Sequence, residues 1–158
     1  MFDLVNGLPI HPLVVHAVVV LLPLAVLGTI AIVARPRWRV TFGPLVVGSA
    51  AVATILVPIA TSSGEALEKR VGDPGQHAAL GDQLIWFAVP LLLLATGLVW
   101  LARRSAAGKA PIGPTALPAV VAGLAVVAAL ATSVQVYRVG DSGARAAWGD
   151  QVDSSATP

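Results

Sequence analysis

The sequence predicts an all-α integral membrane protein, a four-helix bundle with both termini on the non-cytoplasmic side. Composition is the first observation: of 158 residues, 56% are hydrophobic and 11% are charged, whereas ordinary soluble domains have roughly 25% charged residues. Length is the second, because a bilayer core about 30 Å thick needs about 20 apolar residues of helix. Four uncharged runs reach that length. We therefore expect a multi-pass protein of the cell (plasma) membrane, with the lipid bilayer as its main partner.

The four apolar runs predict the helices of one domain, residues 1–150. We expect these helices over about residues 12–34, 40–61, 84–102 and 117–137. A short extramembrane helix is predicted over about 64–70, because Ser62 and Glu65 have the spacing of a capping box. The tail, 151–158, is rich in Ser, Ala and Thr and is predicted to be disordered.

Charged residues predict the orientation of the bundle. Six basic residues lie in the connections after the first and third helices: Arg35, Arg37, Arg39, Arg103, Arg104 and Lys109. All 8 carboxylates fall on the opposite side of the predicted membrane. Because Lys and Arg concentrate in cytoplasmic loops, the termini and the second loop are expected outside the cytoplasm.

Composition also excludes several kinds of chemistry. The chain has no cysteine, which rules out disulfides, thiolate metal sites and cysteine nucleophiles. The net charge is only +2, and the basic residues sit in short clusters between apolar runs. This pattern is typical of membrane topology and predicts no nucleic-acid partner.

The three histidines are the candidate functional residues. His11, His16 and His77 all fall at the predicted non-cytoplasmic end. An ionisable side chain near the start of a membrane helix is usually functional, and neutral imidazole binds haem iron and other metals. His11 and His16 point about 140° apart on a regular helix, since each residue turns the helix by about 100°. We therefore expect His77 to pair with one of them around a cofactor, and haem b is the first candidate.

Two other interpretations remain open from the residues alone. In the first, the protein is a cofactor-free structural or partner-binding subunit, and the histidines hydrogen-bond water or loop carbonyls. In the second, a small zinc or copper site uses His11, His77, Asp82 and Asp141, since both metals accept mixed nitrogen and oxygen ligands. No inverted repeat of the kind found in transporters is evident, although a homodimer would supply a second copy.

Two short segments predict turns. One runs from Gly72 to Gly75 and joins the second and third helices. The other, Gly140 to Gly143, matches the tetrapeptide around the nucleophile of trypsin-like serine proteases, but that chemistry needs a base, an acid and an oxyanion hole on a β-barrel. We interpret Gly140 as the end of the fourth helix and Asp141 or Ser142 as the cap of a short following helix. No catalytic residue is predicted.

Several short motifs are distributed over nearly the whole chain. The most specific is the His11-Pro12-x-x-x-His16 opening. The others are Gly64-Glu65, His77-x-x-Leu80-Gly81-Asp82, Val139 to Gly143, and Trp148-Gly149. Together these motifs resemble the domain of unknown function 2231 family of small bacterial four-helix membrane proteins.

The resemblance implies a b-type haem and electron transfer. Some members of the family are joined to Rieske-type iron–sulfur domains, which implies a redox partner of that type. The ligands implied for this chain are His11, His16 and His77. Many relatives have a histidine after the fourth helix, where this chain has Gly140 and Asp141. This departure weakens an assignment with a histidine ligand from the fourth helix and leaves Asp141 as a hydrogen-bonding or metal-binding substitute.

Overall fold

The protein is helical along almost all of the chain that the computed structural model describes, which is residues 4–5, 7–72 and 75–155. Two two-residue strands, β1 (Leu4–Val5) and β2 (Leu8–Pro9), pair antiparallel at the beginning. The helices that follow are α1 (Ile10–Ala34), α2 (Trp38–Thr41), α3 (Gly43–Val71), α4 (Gln76–Gln83), α5 (Ile85–Ala106) and α6 (Leu117–Ser155). The predicted all-α class is confirmed.

Four helical stretches are long and apolar enough to cross a membrane. They are Ile10–Ala34, Gly43–Val71, Gln76–Ala106 and Leu117–Gly149. The third combines α4 and α5, which only Leu84 separates. Around the bundle, α1 packs on α3 and α6, and α5 packs on the same two helices, so that α1 and α5 face each other diagonally. The protein is a multi-pass membrane protein, with four spans in the part of the chain that the structure describes.

Small side chains line the centre of the bundle. Fully buried alanines come from all four spans: Ala25, Ala50, Ala53, Ala88, Ala95, Ala125 and Ala129. Between helices in lipid, small residues allow the backbones to approach and gain van der Waals contact. Many larger apolar side chains point outward, as Leu27, Leu45 and Val127 show with more than half of their surface exposed, although Leu22 and Leu91 are fully buried. Such an exposed apolar surface suits a bundle whose solvent is lipid.

Two segments differ from the sequence prediction. The predicted separate helix 64–70 is the continuation of α3, which runs unbroken to Val71. Ser62 does not cap a new helix, because its hydroxyl donates to the Pro58 carbonyl one turn back at 2.9 Å. Positive φ angles at Gly72 and Gly75 then form the predicted turn; Asp73 and Pro74 lie outside the described residues.

The fourth span also extends further than predicted. α6 passes through Gly140 without a break, so Gly140 does not end it and the predicted cap at Asp141 or Ser142 does not form. Arg145 and Asp141, four residues apart, form an ion pair at 3.0 Å that suits a continuous helix. Gln151–Ser155, predicted as part of a disordered tail, belong to α6, and residues 156–158 lie outside the described part of the chain.

The two ends of the bundle differ in their charged residues. The histidine end comprises the starts of α1 and α4 and the C-terminal turns of α3 and α6. The arginine end comprises the C-termini of α1 and α5, all of α2, and the connection before α6. The first contains all three histidines, and the second contains the six basic residues that set the predicted orientation.

Candidate functional site: two histidine niches

His11 packs against the C-terminal part of α3. Its Nδ1 lies 2.9 Å from the Ala60 carbonyl oxygen and 3.3 Å from the Ser63 hydroxyl. The Ser63 hydroxyl donates to the same carbonyl at 3.0 Å. One turn further along α3, Gly64 lies directly beside the imidazole, since a Cβ there would lie 3.1 Å from Cε1 of His11. We call these residues of α3 the first niche.

His77 sits in a second niche of the same form on α6. Its Nδ1 lies 3.1 Å from the Val139 carbonyl oxygen and 3.4 Å from the Ser142 hydroxyl. The Ser142 hydroxyl donates to that carbonyl at 3.0 Å. A Cβ on Gly143 would lie 2.9 Å from Cε1 of His77. In both niches a carbonyl, a serine three residues later and a glycine four residues later surround one imidazole.

The hydrogen bonds determine which ring nitrogen of each histidine is available to a ligand. A carbonyl oxygen can only accept, so Nδ1 of His11 and of His77 carries the hydrogen in each neutral imidazole. Nε2 therefore keeps its lone pair. Histidines that bind metals commonly donate their other ring N–H to a backbone carbonyl in this way, which fixes both tautomer and ring orientation.

His11 and His77 both lie at the histidine end, at the starts of α1 and α4. Both are half-buried, and each is hydrogen-bonded to a neighbouring helix, whereas His16 is bonded only within its own helix. His11 is therefore the histidine of the first span whose surroundings match those of His77, and the pairing of the two around a cofactor stays a prediction.

His16 has a different environment. It is exposed, and its Nδ1 is hydrogen-bonded to the carbonyl of Pro12 in its own helix. It makes no hydrogen bond to another helix within the described part of the chain. The structure therefore separates His16 from the two niches, in line with its position five residues after His11.

The acidic residues of the zinc or copper interpretation do not join the histidines in a cluster. Among the residues that the structure describes, no three His, Asp or Glu side chains lie close enough together to hold a metal ion. Asp141 instead accepts two hydrogen bonds from Arg145, at 3.0 and 3.2 Å. His11, His77, Asp82 and Asp141 thus do not form a four-ligand site here.

Sequence reasoning missed Gln135 and the two serine–glycine pairs. Gln135 is buried in α6, and its amide donates to the Leu80 carbonyl of α4 at 2.8 Å. Thr132, one turn earlier, donates to the Phe87 carbonyl of α5 at 3.2 Å. These bonds fix α4 and α5 against α6 and thereby position His77. A visible signal was the dipeptide Ser-Gly, which occurs at 63–64 and again at 142–143.

The arginine end has another chemistry. Arg39 donates to the carbonyls of Ile32 and Val33 at 2.9 and 3.3 Å, and so satisfies two acceptors near the end of α1. Partial burial lowers the pKa of Arg39, because desolvation disfavours the charged form. Arg35 lies over Trp38 and Arg104 over Trp100, at 5.4 and 5.9 Å from the ring centres. Cations stacked on aromatic rings are typical of a membrane boundary.

Comparison with known proteins supports the membrane assignment. No curated protein and no solved structure matches the chain. One family model matches residues 7–156, almost the whole chain, and its description is "Predicted membrane protein (DUF2231)". The match includes both niches and all four spans, and the resemblance stated from the sequence is confirmed. The chain belongs to this family of predicted membrane proteins.

Proposed function

We propose that the protein is an electron-transfer module of the membrane and that a b-type haem would be held at the histidine end by His11 and His77. One observation carries the proposal: both imidazoles donate Nδ1–H to a carbonyl of a neighbouring helix and leave Nε2 free. Two neutral imidazoles from different helices are a donor set that suits haem iron in a helical bundle.

The residues of the niches supply what such a ligand pair needs. The Ala60 and Val139 carbonyls orient the rings and make Nε2 more basic. Half-burial of His11 and His77 limits the access of water. A b-type haem bound there would supply the one-electron chemistry, because its iron alternates between two oxidation states.

Charge at the histidine end supports a docking surface for a redox partner. Four described carboxylates lie there, Glu65, Glu68, Asp82 and Asp141, whereas the arginine end has none in the whole sequence. We expect the partner to be a redox protein such as a Rieske-type domain, and this end to face the non-cytoplasmic side. A homodimer would contain two such sites, each with both ligands from one chain.

The test is the visible spectrum of the detergent-purified protein, expressed with ample haem and recorded oxidised and then reduced. We expect a Soret band that shifts on reduction and resolved α and β bands, as two imidazole ligands keep the iron low-spin. His11→Ala and His77→Ala should each lose this spectrum while circular dichroism stays helical. His16→Ala is the matched control on the same helix and should keep it.

A second candidate function is favoured by the same hydrogen bonds. His11 joins α1 to α3 and His77 joins α4 to α6, which would suit a cofactor-free structural or partner-binding subunit. A colourless, monodisperse protein under the conditions above would reject haem and support this candidate. Metal analysis of the same sample would detect zinc or copper.

A further inference from the structure

The two niches belong to a larger correspondence between the halves of the chain. His77 follows His11 by 66 positions (77 − 11). The same offset relates five buried positions of α1 to five of the third span, and every one of the ten residues is buried. The pairs are Val18 and Leu84, Leu22 and Ala88, Ala25 and Leu91, Thr29 and Ala95, and Ile32 and Leu98.

A second constant offset relates α3 to α6. Ser142-Gly143 follows Ser63-Gly64 by 79 positions (142 − 63). That offset also pairs buried residues of the two helices: Gly43 and Ala122, Val46 and Ala125, Ala50 and Ala129, and Ala53 and Thr132. The difference between the offsets, 13 residues (79 − 66), lies between the paired stretches: α5 extends six residues beyond the position equivalent to the end of α1, the connection is two residues longer, and α6 begins five residues earlier than the equivalent of α3. A spacing of three and four residues is common to buried helix faces, so the two hairpins are linked by a further coincidence: the offsets that superpose the histidines and the Ser-Gly dipeptides also bring these buried positions into register.

We infer that the chain consists of two copies of one helical hairpin, the first formed by α1 and α3 and the second by α4–α5 and α6. Ser63-Gly64 and Ser142-Gly143 are equivalent residues in the two copies, and each pair positions one imidazole. Each half crosses the membrane twice, so both copies run in the same direction. They are related by a pseudo-two-fold axis along the bundle, which is a parallel repeat and not an inverted one. Because the two halves have the same orientation, a comparison of one half with the inverted other half does not reveal the repeat.

The duplication makes the proposed ligand pair symmetric, and in this respect the inference rests on the proposed function. His11 and His77 occupy the same place in their hairpins, with the same tautomer and the same distance from a carbonyl within a few tenths of an ångström. A metal ligand on the axis would face two equivalent Nε2 lone pairs, one from each half of the chain. The two halves differ at exposed His16, whose equivalent in the second half is Asp82 (82 − 66). The two halves therefore have the same residues in the niches and different residues at this neighbouring exposed position.

The glycines of the niches give a sharp test. A methyl group on Gly64 or Gly143 would lie 3.1 or 2.9 Å from the facing Cε1, so the imidazole must move to admit it. Gly48 in α3 and Gly140 in α6 have no such neighbour within 4 Å and are matched controls in the same helices. The four variants are Gly64→Ala, Gly143→Ala, Gly48→Ala and Gly140→Ala.

The first measurement uses the full chain without haem. Imidazole resonances recorded by nitrogen-15 NMR should show Nδ1–H tautomers for His11 and His77 in the parent protein. Gly64→Ala should shift the resonances of His11 alone, Gly143→Ala those of His77 alone, and the controls neither. If either niche variant behaves like its control, the positioning role is overturned.

The second measurement is haem affinity by titration of the same variants. Residues that orient metal ligands typically contribute about 10–100-fold in affinity, and we expect Gly64→Ala and Gly143→Ala to lose equal factors in that range. A loss in only one variant would overturn the equivalence of the two halves. If no variant, nor the parent, binds haem, the proposed function fails, while the NMR result still decides the duplication of the niches.

Discussion

The histidine end and the arginine end differ in how far along the sequence their polar side chains reach. At the histidine end, His11, His77 and Gln135 each bond to a carbonyl of a helix at least 49 residues away, so their hydrogen bonds join the spans to one another. At the arginine end, Arg39 donates to the helix that precedes it, and Arg104 donates to Ala110 in the adjoining loop at 3.0 Å. An exception is Arg103 of α5, which donates to the Val40 carbonyl of α2 at 3.4 Å. The histidine end thus depends on bonds between distant helices, whereas the arginine end combines local bonds that satisfy helix ends with this one longer contact.

The difference extends to the surface grooves. A groove of about 200 Å³ at the arginine end is lined by Trp100, Arg103, Arg104, Ala107 and Lys109. A groove of about 290 Å³ at the histidine end has mixed charge, with Asp141, Ala144, Arg145, Trp148 and Gly149 along α6. If the protein docks a partner as proposed, we expect it at the histidine end, where both charges are present, because the uniform positive charge of the arginine-end groove favours lipid headgroups.

The largest effect on stability should come from the buried amide at the histidine end. Gln135→Leu keeps the side-chain volume but leaves the Leu80 carbonyl without its donor, which we expect to cost about 1–3 kcal/mol. Thermal unfolding in detergent measures the change. Ser133→Ala is the control, because the exposed Ser133 hydroxyl bonds only within α6. Equal melting temperatures for the two variants would contradict the view that this end fixes helix placement.

A smaller loss is expected at the arginine end. Arg39→Ala removes two hydrogen bonds to the end of α1, and we expect a cost of about 0.5–1.5 kcal/mol because water can reach the freed carbonyls. The same unfolding assay applies, with the exposed Arg37→Ala as control. If Arg39→Ala lowered the free energy of unfolding by more than Gln135→Leu does, the arginine end would contribute more to stability than the histidine end, contrary to our expectation.

The smallest effect should come from the exposed ion pair on α6. Arg145 and Asp141 are within 3.0 Å of each other, but Arg145 is fully solvated, and exposed pairs contribute little. Arg145→Gln should leave the melting temperature unchanged at physiological salt. A clear drop, insensitive to added salt, would show that this groove is structurally important after all.

The sequence predicted the spans well, since the number and length of helices follow from the apolar runs. The first run, expected at 12–34, became Ile10–Ala34. The extensions of α3 and α6 beyond the membrane were not predicted. Ala66, Leu67 and Glu68 are good helix formers that continue α3, and the hydroxyls of Ser63 and Ser142 bond back into their own helices, whereas the sequence prediction made each segment the start of a new helix.

The histidines themselves were predicted, but their surroundings were not. Which carbonyl meets an imidazole depends on how each helix is rotated, and that is set by packing of buried alanines such as Ala50 and Ala129 across the bundle. The repeated Ser-Gly dipeptide is the one sequence feature that indicates the niches. It is too short to be recognised until the structure shows an imidazole beside each copy.

The position of both niches at one end determines how they experience the electrical potential across the membrane. A charge that moves through the whole bilayer gains or loses about 2.3 kcal/mol per 100 mV. His11 and His77 begin their spans, so a charge that reached either niche from the adjacent aqueous side would cross only a small part of that field. A site that changed charge there, as the proposed function requires, would therefore neither draw on the membrane potential nor add to it to any large extent.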